Sequence, residues 1–205
     1  IRPNVVGAGN LERFDYWLDQ FRYLRTVGQI ACIWDIQQKQ LKRLDAMKSE
    51  DIESQRRFVT EQMLPVRARL LDAVTEANML LMASVSGTGG LGNIANWQQH
   101  LIPQLVHVPG EKMAAVLGHP LGDEDQLPNT YTGPARLIVP VMPTLLEKNE
   151  SLKLRAIVPG ADDAVPVLYY RQRTNSEYQA VPMRKLRGGV YEAIVAAEKI
   201  DGDFE

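Results

Sequence analysis

The run "SGTGGLGNIANWQQH" occupies residues 86–100, and its reading decides the fold. Gly87, Gly89 and Gly92 satisfy the G-x-G-x-x-G pattern of dinucleotide-binding folds. Such a site needs a strand before the glycines and a helix after them, so that the pyrophosphate meets the helix N-terminus. Here the preceding residues, "ANMLLMASV" at 77–85, are the tail of a long helical pattern. No βαβ pattern surrounds the run. No acidic residue about 20 positions on closes a second strand, and the lysine of a P-loop is missing. The plainer meaning is a helix C-cap and connector, because glycine supplies the positive φ on which many helices end. No nucleotide or other cofactor is predicted, and the flanking sequence is expected to be all-helical.

Working toward the N-terminus, Asn10 is the expected N-cap of a helix that starts at Leu11. Apolar residues recur at helical spacing as Phe14, Leu18 and Phe21. Tyr16, Tyr23, Val27, Ile30 and Trp34 form a neighbouring stripe, and the pattern continues through Leu41 and Leu44 to about Lys48, with a break near Gly28. A second helix is expected from Ser49, with Glu50, Asp51 and Glu53 suited to its positive N-terminal end. Its core stripe runs Ile52, Val59, Met63, Val66, Leu70, Val74, Ala77 and Leu81, and Pro65 predicts a kink. Beyond the glycines, "NIANWQQHLIPQLV" (93–106) and "PGEKMAAVLG" (109–118) read as two short helices.

From Ala135 the periodicity changes from helical to alternating. Leu137, Val139 and Val141 alternate, as do Leu152, Leu154, Ala156 and Val158. "AVPVLYYRQ", "YQAVPMRKL" and "VYEAIVA" follow, separated by "PGADD", "TNSE" and "RGG". Short strands at this spacing predict a β-sandwich, with Pro140, Pro166 and Pro182 at edges or bulges. The expected fold class is therefore α+β and multidomain. A helical region, built on a long hairpin, spans 1–128, and an all-β immunoglobulin-like sandwich spans 135–205. That gives about five strands and one beginning at Phe204, fewer than a seven-strand sandwich. The chain starts at Ile1 without methionine, and both ends are expected to be those of a piece of a longer protein.

Composition narrows the function classes. With 205 residues and 45% hydrophobic content, a sizeable core is available. A net charge of −2 with dispersed Lys and Arg argues against nucleic acid as a partner. No run of about 18 apolar residues predicts a membrane span, and no signal peptide is visible. The lone cysteine, Cys32 in "GQIACIW", is expected to be a buried thiol.

Candidate chemistry is sparse. Asp15, Asp19 and Asp35 are the acids nearest the aromatic-rich first helix, but Arg13, Arg22 and Arg25 sit among them and favour solvated ion pairs. His100, His107 and His119 lack metal-ligand spacing. Neither G-x-S-x-G nor H-E-x-x-H occurs. No catalytic residue and no metal ligand is assigned. The one candidate binding set is Asn96, Trp97, Gln98 and His100, an aromatic face among amides and an imidazole, as in sites where a sugar ring stacks and its hydroxyls are hydrogen-bonded. The alternative places Trp97 in the helical core with the amides in water.

"NLERFDYWLDQFRYLR" (10–25), the helical stretch after it and "GLGNIANWQQH" (90–100) together resemble the C-terminal part of large secreted bacterial glycoside hydrolases, of the agarase-like and β-galactosidase-like kinds. "LKLRAIVPG", "VLYYRQRTNSEYQAVPM" and "GGVYEAIV" resemble the fibronectin type III-like or immunoglobulin-like sandwiches at the ends of such enzymes. The resemblance implies an ancillary region of a polysaccharide-degrading enzyme, secreted or periplasmic in a bacterium. Its partners would be an N-terminal catalytic barrel of the same polypeptide and a polysaccharide. The acid and nucleophile belong to barrel strands absent here, so no catalytic residue carries over. A second reading is a non-enzymatic interaction or cell-surface module with helical and immunoglobulin-like parts.

Overall fold

The computed structural model describes residues 2–48, 51–85, 87–161, 164–200 and 202–205. The chain divides into two compact units, Ile1–Ser84 with Gly92–Asn129, and Val85–Leu91 with Thr130–Glu205.

The first unit is helical. Helix α1 spans Ala8–Ala46 without the break expected at Gly28. Gly7, at φ 94°, stands at its N-cap, where no side chain caps the helix. Asn10 lies inside the first turn instead, and its Nδ2 donates to the Val6 carbonyl at 2.9 Å. Helix α2 spans Ile52–Phe58 and is capped by Asp51, whose carboxylate accepts from the Ser54 N–H. The expected start at Ser49 and Glu50 lies outside the described residues. Helix α3, Leu64–Ser84, continues α2 through a widened turn, Val59–Met63.

That turn is how the chain accommodates Pro65. A proline has no N–H, and its ring collides with the carbonyl four residues back in a regular helix. Here the Leu64 N–H, one residue before the proline, donates to the Val59 carbonyl five residues back. The extra residue makes a π-bulge, which moves the offending carbonyls outward. The same device recurs twice. Ile102 N–H reaches the Trp97 carbonyl just before Pro103, and Val108 N–H reaches the Pro103 carbonyl just before Pro109.

These π-turns join α4 (Thr88–Asn96) to α5 (Val108–Leu117) in one continuous helical arm, where two short helices were expected. The arm ends at Gly118, left-handed at φ 81°. The glycine run is thus not a C-cap: Gly89, Gly90 and Gly92 lie inside α4, and neither they nor Gly87 has a positive φ. Each helical glycine costs about 1 kcal/mol against alanine. Packing of Ile94 and Trp97 onto the core opposes that cost.

Helices α1 and α3 form an antiparallel hairpin: Arg25 faces Glu76, and Gln40 Nε2 donates to the Gln62 carbonyl. The seam is heptad-like. Ile30 and Ile33 of α1 meet Leu70, Val74, Ala77 and Leu81 of α3 in one core, and Thr26 and Gln37 lie buried on the same face of α1. The arm adds Trp97, Ile102, Leu105 and Val106 to this core. Phe58, Val59, Met63 and Met113 form a second cluster with Leu44.

The second unit contains two small antiparallel sheets. Strands β1 (Leu152–Ile157), β5 (Val190–Val195) and β4 (Arg184–Arg187) make one, in the order β1-β5-β4. Strands β2 (Val167–Tyr170) and β3 (Gln179–Pro182) make the other. Ala156, Tyr191 and Ala193 of the first pack against Leu168 and Val181 of the second, with Met183 between. The segment expected as one strand, "YQAVPMRKL", splits at Pro182–Met183, because Pro166, the residue opposite Met183, has no N–H to continue the β2–β3 ladder. The Met183 N–H bonds the Pro166 carbonyl, and the chain passes from one sheet to the other. Residues 137–141 form no full strand either. Only Ile138 bridges to Ile157, and Pro140 and Pro143 remove donors on its C-terminal side. Gly188 and Gly189, both at positive φ, close the β4–β5 hairpin as a two-residue turn requires.

Candidate functional site

Trp97 opens a π-turn, and its ring faces the α1–α3 seam. It is 5% exposed and belongs to the main helical core. Its Nε1 donates to the Tyr23 hydroxyl at 2.9 Å, and the two rings meet edge to face with centroids 6.4 Å apart. This corrects the expected carbohydrate set. A buried indole offers no face for a sugar to stack on, and its neighbours do not gather around it. Asn96, Gln98 and His100 are exposed. On a helix, residues one apart are turned by about 100°, so burying Trp97 points both flanking amides away from it.

The aromatic groups that do reach solvent lie on α1. Trp17, Phe21 and Leu24 are 61%, 67% and 63% exposed. Spaced by four and three residues, they form one stripe. At 3.6 residues per turn that stripe lies about 180° from the buried seam of Thr26, Ile30, Ile33 and Gln37. Tyr16 stacks edge-on against Trp17 at 5.5 Å. Beside the stripe an open groove of about 690 Å³ separates α1 from α3, lined by Arg25, Gln29, Cys32, Arg69, Asp72 and Glu76 among others. Cys32 is exposed there, contrary to expectation, because its position is turned well away from the seam.

The carboxylates considered for acid–base chemistry are held in surface ion pairs. Asp15 bonds Arg2 through both oxygens at 2.7 and 2.8 Å. Asp19 pairs with Arg22, and Asp35 with Lys39. His119 Nδ1 lies 2.8 Å from the Pro120 carbonyl oxygen. Among the described residues no group of three His, Cys, Asp or Glu is placed to hold a metal. Nor is any helix there long and apolar enough to cross a membrane.

Two polar constellations escaped the sequence reading. Arg67 of α3 is buried against the helical arm, where its Nε donates to the Asp125 carbonyl and its Nη1 to the Val106 carbonyl, both at 2.8 Å. Desolvation pushes its pKa down from the ordinary arginine value, with the Asp125 charge opposing. The second constellation is a row across the three-stranded sheet. Arg155, Glu192 and Arg184 are register partners on β1, β5 and β4. Glu192 Oε1 accepts from Arg155 Nε and Oε2 from Arg184 Nη2, each at 3.3 Å, and Lys153 Nζ lies 3.8 Å from Oε1. The sequence signal was present in the basic residues alternating on β1, but the partner is set by strand register, which spacing alone does not supply.

No protein-family model matches the chain, and no curated protein and no solved structure is significantly similar to it.

Proposed function

We propose that the chain is the C-terminal ancillary part of a carbohydrate-active glycoside hydrolase from a secreting bacterium, and that it packs on a catalytic barrel of the same polypeptide. The observation that carries the packing is the outer face of α1. Trp17, Phe21 and Leu24 lie exposed in a row, opposite the seam that already satisfies the helix. Contiguous exposed apolar groups of this kind mark an interface with a large partner. The carbohydrate assignment is supported by the resemblance of residues 10–25 and 90–100 to such enzymes.

The β unit fits an immunoglobulin-like sandwich. Its first sheet reads Ile138 bridge, β1, β5, β4, and its second reads β3, β2, Phe204 bridge. These are the neighbours that strands A-B-E-D and C′-C-F have in such folds. Glycan contact through Trp97 is not part of the proposal, since its ring serves the core.

The test begins with the complete reading frame. Its product is assayed for release of reducing sugars from a panel of algal and plant polysaccharides, beside the present chain alone. Hydrolysis by the full product, none by the chain, and a Trp17→Ser/Phe21→Ser variant that lowers the melting temperature of the full product only, support the reading. A full product that hydrolyses none of the panel and carries an anchoring sequence favours the non-enzymatic surface module instead.

A further inference from the structure

We propose that the outer face of the β1–β5–β4 sheet binds an acidic polysaccharide, a sugar polymer carrying carboxylate or sulfate groups. Three cations and one anion stand on this face. Lys153, Arg155 and Arg184 are 57%, 60% and 74% exposed, whereas Glu192 beneath them is 6% exposed. Their heads converge on that carboxylate, which leaves an excess of two positive charges on a chain whose net charge is −2. Glu192 uses both oxygens to hold the two arginines, one N–H from each. An arginine has five N–H donors. Among the described residues no other hydrogen bond to Arg155 or Arg184 is formed, so the remaining fork of each points to solvent. A guanidinium held by a buried carboxylate loses little freedom when it engages a ligand anion in a two-point contact.

The backbone positions of the three cations spread over the sheet, with Lys153 and Arg155 two residues apart on one strand, about 7 Å, and Arg184 two strands away, about 10 Å. Their heads meet at one carboxylate and form a single compact cationic spot. Exposed Ile194, register partner of Lys153, adds an apolar contact in the same plane. Nucleic acid fits less well. No aromatic side chain is presented on this face among the described residues, so unpaired bases have no stacking platform. The choice of a sugar polymer rests on the carbohydrate reading above; the charge geometry stands without it.

The experiment is affinity electrophoresis of the purified chain at low salt, in gels containing polygalacturonate, alginate, dextran sulfate, single-stranded DNA or neutral dextran. It needs no hydrolysis, so it is decided separately from the enzymatic reading. Retardation by at least one acidic polymer and none by neutral dextran is expected. Arg155→Gln/Arg184→Gln should weaken it by about tenfold or more. Lys153→Gln, which keeps the Arg–Glu–Arg row intact, should weaken it as well. Arg22→Gln/Arg25→Gln on α1, with the same charge change, should leave it unaltered. The proposal is overturned if no acidic polymer retards the chain, or if the sheet variants migrate as the unmodified protein does. Retardation by single-stranded DNA as strong as that by the glycans overturns it too, and assigns the face to polyanions at large.

Discussion

The guanidinium of Arg67 occupies the space a side chain on Gly110 would fill: a Cβ added there would lie 2.8 Å from Nη2 and 3.0 Å from Cζ. Gly110 is buried in the first turn of α5, so its lack of a side chain is what lets α3 and the arm close around a charged group. Replacing it with alanine sets two effects against each other. Helix propensity gains about 1 kcal/mol. Displacing Arg67 leaves the Val106 and Asp125 carbonyls without their donor, at about 1–3 kcal/mol for each buried group left unpaired. The second effect is larger, so Gly110→Ala should destabilise by about 1–3 kcal/mol. In an Arg67→Met background the clash with the guanidinium is gone, and the same change should become neutral or stabilising. Denaturant melts of the four proteins in this cycle measure the coupling. A cost for Gly110→Ala that persists undiminished in the Arg67→Met background would show that Arg67 is not the cause.

Trp97 is a core residue with a polar handle, so its substitutions should report on stability. Trp97→Ala should cost about 3–5 kcal/mol. Tyr23→Phe strips the acceptor from the indole N–H and should cost about 1–2 kcal/mol. Asn96→Ala and Gln98→Ala, exposed on the same helix, should lie within about 0.5 kcal/mol of the unmodified chain. Melts followed by tryptophan fluorescence and by circular dichroism separate the two groups. A near-neutral Trp97→Ala would mean that the ring does not sit in the helical core.

Legibility in the sequence followed how many faces of each element are apolar. The second helical stretch has one apolar stripe, and Val59, Met63, Leu70, Val74, Ala77 and Leu81 are buried as the periodicity predicts, while Val66 is half-buried and Ile52, at the start of α2, is exposed. Helix α1 is apolar on opposite sides. Periodicity then says that the residue set is helical, but not which of its stripes meets the seam: Phe21 and Trp34, read as members of two neighbouring stripes, are both exposed, whereas Ile30, on the same stripe as Trp34, is buried. The candidate sugar set is split because a helix turns residues one apart to different faces: Trp97 goes to the core, and Asn96 and Gln98 on either side of it go to solvent. The change from helical to strand periodicity near residue 130 was visible. The crossing at Pro182–Met183 was not, because strand propensity continues through it and the residue that ends the first ladder, Pro166, lies on the partner strand.

Glu192 makes the β unit sensitive to acid. Burial opposes its ionisation, but hydrogen bonds from Arg155 and Arg184 and the charge of Lys153 outweigh that and hold the carboxyl below the usual range. A carboxyl with a lower pKa folded than unfolded stabilises the fold above its unfolded value. That contribution is lost as the pH falls from the ordinary carboxylate range through the lowered folded value. Glu205 is held low in the same way, by hydrogen bonds from Arg171 and Tyr178, and titrates in the same region. Glu192→Gln isolates the first group. At neutral pH the variant should melt below the unmodified protein, and the two curves should draw together as the pH drops through that window. A gap of constant size from neutral to strongly acid pH would mean that the Glu192 charge contributes nothing.

The outer stripe of α1 should tolerate charge where the inner seam does not. Phe21 and Leu24 already expose about two thirds of their surface, so Phe21→Asp and Leu24→Asp remove little buried area and should shift stability by about 0.5 kcal/mol or less. They do break a continuous apolar surface, so the double variant should bind less of a hydrophobic dye and self-associate less at high concentration. Ile30→Asp is the contrast. Ile30 is buried against α3, and an unpaired carboxylate there loses both packing and hydration, which should unfold the hairpin or lower its melting temperature far more. Thermal melts, dye fluorescence and light scattering on the unmodified chain and these variants place each residue on its face. If Phe21→Asp/Leu24→Asp melts as low as Ile30→Asp, the stripe is covered within the chain itself, and the packing face proposed for α1 is lost.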